Sequence, residues 1–91
     1  MIEKCRDWMK PSTKLADEYY RAVTRWAVSR RSEGSLRHLI KIGSAYRWTL
    51  EKALRCLRSL RRTEQVERKI AHTEEYKALV TKELETLREL E

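Results

Sequence analysis

The middle of the chain concentrates basic side chains, and their chemistry suits the binding of phosphate groups. Residues 21–62 hold twelve lysines and arginines but only two acidic residues, Glu33 and Glu51, which gives this segment a net charge of +10. The first twenty residues are neutral overall, and the last twenty-nine carry −3. A single arginine is typical of any solvated surface, but a charge this localised predicts a polyanionic partner. Double-stranded DNA is the polyanion that folded basic domains most often bind.

Residues that support other chemistry are few and badly spaced for it. The two histidines and two cysteines show no CxxC or HxxxH spacing, so no metal site is expected. The two glycines stand alone and form no phosphate-binding loop, and no serine has the surroundings of a nucleophile. The sequence therefore predicts a protein that is not an enzyme and that binds no metal, cofactor or small-molecule ligand.

Two cysteines are too few for a disulfide framework. We interpret Cys56 as a core residue of a helix. Cys5 lies near the N-terminus and is either inert or paired with its counterpart across a two-fold axis. The absence of Asn, with Gln65 as the only Gln, resembles the composition of a thermophile's protein.

Ninety-one residues form one small domain, which buries roughly 60–65% of its unfolded surface. A dimer interface would enlarge that modest core. No apolar run is long enough to span a bilayer, and the N-terminus lacks the apolar stretch of a signal peptide. We therefore expect no membrane partner and an intracellular, cytoplasmic location.

The first half of the chain predicts two helices separated by a polar loop. Pro11 is expected to end an N-terminal segment, and Ser12 or Thr13 to begin a new helix. Apolar residues then recur every three or four positions, which predicts an amphipathic helix over residues 15–28. After a polar loop at 29–34, a short helix is expected from Leu36 to about Lys41.

Gly43 is expected to break the short helix, and Ser44 to cap the next one, over residues 45–60. The apolar side of this helix carries Leu50, Ala53, Leu54, Leu57 and Leu60. Its other side presents Tyr46, Arg47, Glu51, Lys52, Arg55 and Arg58.

Residues 64–81 fit two patterns. Two alternating runs, 65–71 and 76–80, flank a polar segment and are typical of a β-hairpin. The same region also follows a four-three repeat that continues to Leu87, which is typical of an unbroken helix. A final helix over residues 82–90 carries Leu84, Leu87 and Leu90 on one side.

The order of these elements resembles the winged helix-turn-helix domains of MarR-like and ArsR-like regulators and of small regulators from archaea and archaeal viruses. Residues 35–43 look like the first helix of the motif and its glycine turn, and residues 48–57 look like the recognition helix. Residues 65–69 and 76–84 resemble the strands of the wing. The resemblance covers residues 15–90 and implies a mainly α fold with a small β-hairpin (α+β), preceded by an N-terminal extension at 1–14.

The resemblance implies a homodimeric transcription regulator that reads double-stranded DNA, in the host cytoplasm if its origin is viral. The recognition helix at 45–60 would enter the major groove, where Arg47 can contact guanine. We predict base-reading roles for Tyr46, Arg47, Glu51 and Lys52. Contacts with the DNA backbone are predicted for Arg30, Arg31, Arg37, Lys41, Arg55 and Arg58.

The wing, at about 65–80, would place its basic tip on the minor groove or its phosphates through Arg68, Lys69 and His72. The dimer interface is predicted to comprise Cys5, Trp8, Tyr19, Tyr20, Trp26, Leu84, Leu87 and Leu90. Trp48 is expected to pack against a neighbouring side chain.

A second interpretation is an all-α interaction or adaptor protein that binds an acidic or phosphorylated partner. Residues 41–47 and 75–84 are faintly similar to the N-terminal helices of 14-3-3 proteins, in which Arg47 would match a phosphate-binding lysine. The chain departs from that family at Leu54, where an arginine is expected.

Overall fold

The computed structural model describes residues 2–29 and 32–91, and throughout this part of the chain the regular structure is helical. A 3₁₀ turn at Ile2–Cys5 leads into α1 (Arg6–Val28), which is followed by α2 (Glu33–Arg58) and α3 (Glu64–Glu89). The described residues contain no strand. The prediction of an α+β winged helix-turn-helix is therefore wrong, and the fold is all-α.

Side chains just before α2 and α3 determine where these helices begin. The Ser32 hydroxyl accepts a hydrogen bond from the backbone N–H of Ser35 at 3.3 Å. The Thr63 hydroxyl accepts one from the backbone N–H of Val66 at 3.2 Å. Each bond satisfies a donor that the first turn of a helix leaves unpaired.

The three helices run antiparallel in chain order, and α2 lies between the other two. Cys5 at the start of α1 meets Cys56 at the end of α2, and Ser44 and Arg58 of α2 contact Arg88 and Glu74 of α3. Helix α2 packs extensively against both neighbours, whereas α1 and α3 make few direct contacts. The result is an elongated bundle measuring 46 × 20 × 15 Å between Cα atoms.

Two clusters of buried side chains hold the helices together. The larger one lies where α1, α2 and α3 all meet, and its buried members are Tyr19, Ala22, Leu36, Leu39, Tyr46, Leu50, Val80, Leu84 and Leu87. The smaller one surrounds the disulfide at the other end of the bundle, with Cys5, Leu54, Leu57, Val66 and Ile70. The first cluster joins the N-terminal and middle parts of α2 and the C-terminal part of α3 to the amphipathic side of α1, as expected of helices with a four-three apolar repeat.

The glycine turn predicted at Gly43 does not exist. Residues 36–41 and 45–60 were predicted as two helices, but both belong to α2 as far as Arg58. Gly43 is buried inside that helix between the Tyr19 and Leu84 side chains. Its lack of a side chain allows the neighbouring helices to pack closely. A glycine within a helical pattern can have this packing role instead of ending the helix.

The β-hairpin predicted for the wing is also wrong, because residues 64–89 form one helix. Val66, Ile70, Val80, Leu84 and Leu87 are buried along one side, which is the side that the four-three repeat predicts. The polar segment at 72–75 is therefore part of the solvated surface of a helix. The last helix begins at Glu64, earlier than the predicted residue 82.

Pro11 does not separate an N-terminal extension from the rest of the chain. It lies inside α1, which runs continuously from Arg6 to Val28. The hydroxyl groups of Ser12 and Thr13 donate hydrogen bonds to the Trp8 and Met9 carbonyls, at 2.8 and 3.1 Å, rather than capping a new helix. Residues 6–14 are thus the first part of the helix that was predicted to begin at residue 15.

Candidate polyanion-binding surface

The outward side of α2 carries a basic stripe that runs along the bundle. Residues 37, 41, 48, 52 and 55 are spaced by three, four or seven positions, so they lie on one side of the helix, opposite the buried Leu50 and Leu57. We call this surface the α2 basic face, and it comprises Arg37, Lys41, Trp48, Lys52 and Arg55.

The positive charge continues past the end of α2. Arg61 and Arg62 are exposed in the short connection between α2 and α3. From residue 47 to residue 62 there are six basic side chains and only one acidic side chain, Glu51. Basic groups are favoured here because the C-terminus of a helix carries a partial negative charge.

Acidic partners neutralise only some of these cations. Arg37 pairs with Glu33 at 2.9 Å, and Arg58 pairs with Glu74 at 3.0 Å. Within the described residues, no ion pair involves Lys41, Arg55, Arg61 or Arg62. These four charges are therefore available to a partner. Exposed ion pairs such as those of Arg37 and Arg58 are weak and exchange readily for a stronger anion.

Trp48 of the α2 basic face packs against Trp8 of α1. The Trp8 and Trp48 rings meet edge to face, with centroids 5.5 Å apart and planes inclined by 80°. The Lys52 ammonium lies 5.4 Å from the centroid of Trp48, a cation–π contact. Trp48 thus packs against a neighbour, as predicted, although half of its surface remains exposed.

The four residues predicted to read bases do not share one surface. The Tyr46 side chain is only 5% exposed and packs against Tyr19, with ring centroids 5.9 Å apart. Burial raises the pKa of Tyr46 to about 12. Position 46 shares the buried side of α2 with Leu50 and Leu57 and so faces the core, while Lys52 alone of the four lies on the α2 basic face.

Arg47 and Glu51 face α3. Arg47 donates a hydrogen bond from Nε to the Thr81 hydroxyl at 2.8 Å. Glu51 pairs with Lys77 at 3.3 Å, and the hydrogen bond and charge of Lys77 lower the pKa of Glu51. These two side chains join α2 to α3.

The residues predicted to contact the DNA backbone divide into three groups. Arg37, Lys41 and Arg55 belong to the α2 basic face, and Arg58 lies at its edge beside Glu74. Arg30 and Arg31 lie outside the described residues.

The residues predicted for the wing tip lie on α3. Arg68 pairs with Glu64 at 2.7 Å, one turn away on the same helix. Lys69 and His72 are exposed along the side of α3 that faces α1. No wing brings the three together, so they do not extend the α2 basic face.

Half of the residues predicted for a dimer interface are buried within the single chain. Cys5 forms a disulfide with Cys56, in place of a bond to a second copy. Tyr19, Leu84 and Leu87 belong to the core. The remaining predicted residues lie closer to the surface: Trp8 and Trp26 are half-buried, and Tyr20 and Leu90 are exposed.

A groove between α1 and α3 was not predicted from the sequence. Its floor is the side of α2 opposite the basic face, and its volume is about 400 Å³. The lining residues are Met9, Ser12, Thr13, Ala16, Tyr20, Tyr46, Leu50, Ala53, Lys69, His72, Thr73 and Tyr76. Three of the four tyrosines in the chain line it, and the fourth, Tyr19, lies beside Tyr20 and Tyr46. One sequence feature could have predicted this groove. Ala16 and Tyr20 have the spacing of one helix side, and residues 72–76 supply the opposite wall once they are treated as helix.

Two features are absent from the part of the chain that the structure describes. No three side chains among His, Cys, Asp and Glu come together there as a metal site. None of the helices there combines the length and apolar character needed to cross a bilayer.

No protein-family model matches the chain, and no significant match was found among curated proteins or solved structures.

Proposed function

We propose that the protein binds the phosphate backbone of double-stranded DNA through the α2 basic face and the adjoining Arg61 and Arg62. The observation that carries this proposal is the concentration of exposed, unpaired cations on one face. Lys41, Arg55, Arg61 and Arg62 have no acidic partner among the described residues, whereas α3 carries more acidic than basic side chains. Release of counterions from the DNA drives this kind of binding.

The length of the cationic surface suits a duplex. Arg37 and Arg58 are separated by 21 residues of helix, or roughly 32 Å at 1.5 Å per residue. One turn of B-DNA measures roughly 34 Å along its axis. A helix laid along the duplex thus reaches phosphates over about one turn.

The position of α2 favours contact with phosphates over contact with base edges. The major groove is about 12 Å wide and accepts one helix that projects from its domain. Helix α2 does not project, because α1 and α3 flank it on both sides and the bundle is 20 Å across. Contacts to phosphates hold a protein on DNA without distinguishing sequences. We therefore expect similar affinity for unrelated duplexes.

Fluorescence anisotropy over a salt series tests the proposal. The wild-type protein is titrated into two unrelated duplexes, a single strand and a phosphopeptide pool. The test variant combines Arg55→Ala, Arg61→Ala and Arg62→Ala. The matched control combines Lys14→Ala, Arg21→Ala and Lys82→Ala, which removes the same charge from exposed sites on α1 and α3.

We expect the wild type to bind both duplexes equally, with a steep negative dependence of log K on log salt. The test variant should reduce that slope by roughly three, since each lost phosphate contact removes about 0.9. The control should keep nearly the full slope. Equal losses in the two variants would mean that net charge alone is responsible and would refute a localised surface. Binding to phosphopeptides without binding to duplex would favour the adaptor interpretation instead.

A further inference from the structure

We infer that the groove between α1 and α3 is the interface with a second copy of this chain, packed antiparallel about a two-fold axis near Tyr76. The groove lies on the opposite side of α2 from the basic face, so this inference is independent of DNA binding. Its lining comes from α1, α2 and α3, with an apolar floor formed by Leu50 and Ala53.

Large apolar side chains are exposed along the rims of this groove. Tyr20 on α1 and Tyr76 on α3 are each 51% exposed, and both line the groove. Leu79 is 49% exposed and lies one turn beyond Tyr76 on the same side of α3. Exposed aromatic and leucine side chains that adjoin an apolar floor are typical of a protein–protein interface.

The charges on the α3 rim identify the occupant as a second copy. Residues 69, 72, 76, 79 and 83 follow a three-four spacing and so form one stripe. The stripe is basic at one end, with Lys69 and His72, apolar in the middle, with Tyr76 and Leu79, and acidic at the other end, with Glu83, which is half-buried beside Tyr19. An antiparallel copy places the basic end of each stripe against Glu83 of the other. The stripe is thus complementary to itself, which a two-fold interface requires.

The size of the molecule is compatible with a dimer of this kind. It measures 46 × 20 × 15 Å between Cα atoms, so its long faces are comparable with the roughly 800 Å² that each partner contributes to an interface of standard size. Packing two such faces also keeps the α2 basic faces of the two copies on opposite, outer sides, where their like charges do not meet.

Sedimentation equilibrium over a wide concentration range tests this inference. The wild type should sediment at twice the monomer mass of 11.0 kDa. Leu79→Glu and Tyr76→Glu should each raise the dimer Kd roughly 30-fold or more, as expected for the loss of a central contact. Val28→Glu is the matched control, because Val28 is 78% exposed and lies outside the groove. Circular dichroism should show unchanged helix content in all three variants.

Charge exchange provides a second, more specific test. Lys69→Glu places like charges together in the dimer and should raise the Kd. Adding Glu83→Lys to Lys69→Glu reverses both ends of the stripe and should restore association. A wild type that stays monomeric at every concentration would overturn the inference. Dimers that persist in both groove variants, dissociation by Val28→Glu, or no rescue by the double exchange would overturn it as well.

Discussion

The ring of Tyr19 in α1 lies directly against Gly43 in α2. A Cβ added at Gly43 would come within 2.9 Å of the Tyr19 Cε1 atom and within 2.8 Å of the Leu84 Cδ2 atom. The missing side chain is therefore what lets Tyr19 of α1 and Leu84 of α3 both come close to the backbone of α2 at this position.

Gly43→Ala should destabilise the fold. Overpacking in a core costs about 1–3 kcal/mol, whereas Ala gains up to about 1 kcal/mol over Gly in helix propensity. We expect the free energy of unfolding to fall by about 1–2 kcal/mol, measured by urea denaturation followed by circular dichroism.

Gly34→Ala is the control for that measurement. Gly34 lies in the first turn of α2, and a Cβ there would meet nothing within 4 Å. We expect a gain of about 0.5 kcal/mol from the lower entropy of the unfolded chain. Equal effects of the two substitutions would contradict the close packing at Gly43.

Removal of the disulfide should lower the free energy of unfolding. It should not change the oligomeric state, because the bond lies within one chain. Cys5 and Cys56 are separated by 51 residues in sequence. Closing a loop of that length restricts the unfolded chain by about 4 kcal/mol in the loop-entropy estimate. The double variant Cys5→Ser/Cys56→Ser should lose stability of that order in denaturant titrations. Wild-type protein in excess reductant should behave like the variant.

The disulfide prediction has a simple counter-test. Titration of the native protein with a thiol reagent should find no reactive cysteine, and non-reducing electrophoresis should give a single monomer band. A dimer band that disappears on reduction would indicate a disulfide between two subunits and would contradict the pairing of Cys5 with Cys56.

Pro11→Ala should stabilise α1. A proline inside a helix removes one backbone hydrogen bond and costs about 3 kcal/mol. Pro11 occupies such a position, six residues into α1. Alanine restores the N–H, which can donate to the Asp7 carbonyl. Part of the gain is offset by the freer unfolded chain. We expect a net gain of about 2 kcal/mol, and a lower melting temperature would show that Pro11 marks a real helix boundary.

Stability should fall at alkaline pH because two core tyrosines must remain neutral. Burial, with a smaller effect of the Glu83 charge, raises the pKa of Tyr19, and burial raises that of Tyr46 to about 12. A pKa raised in the folded state means that the neutral form is favoured there. The stabilisation is therefore complete below the unfolded pKa of about 10 and is lost as pH rises through the folded value.

Tyr46→Phe tests this pH dependence. The variant should lose less stability than the wild type between about pH 10 and pH 12, because it has one fewer buried hydroxyl to ionise. Tyrosinate absorbance and denaturant titrations at several pH values measure both effects. If the wild type and Tyr46→Phe lost the same stability at alkaline pH, ionisation of Tyr46 would not be the cause of the loss.

The amphipathic patterns predicted the helical segments within α1 and α2 correctly, but the predicted breaks between segments and the β-hairpin at 64–81 were wrong. The helix predicted at 15–28 exists within α1, and the leucines of α2 and α3 are buried as their spacing indicates. Pro11, Gly43 and the polar segment at 72–75 were interpreted as breaks because such residues often end helices. Each is helical here, since tertiary packing outweighs local preference.

The positive charge of the candidate surface was predicted from the sequence, but the arrangement of its residues was not. The excess of cations at 21–62 and its members Arg37, Lys41 and Arg55 follow directly from composition and helical spacing. The inward position of Tyr46 was missed, although positions 46, 50, 53 and 57 recur every three or four residues and so lie on the buried side of one helix. The pairing of Cys5 with Cys56 depends on the antiparallel return of α2, which no local pattern contains.

The bond between Cys5 and Cys56 divides the molecule into a covalently closed part and an open one. Helices α1 and α2 lie within a ring of chain that cannot separate while the bond is intact, whereas α3 follows the ring as a tail attached at one point. Detachment of α3 breaks its contacts with α2 and with the shared core around Tyr19 but is not restrained by the ring, so we expect it to be an easier partial unfolding than separation of α1 from α2. Backbone amides of α3 should accordingly exchange with solvent deuterium before those of the ring.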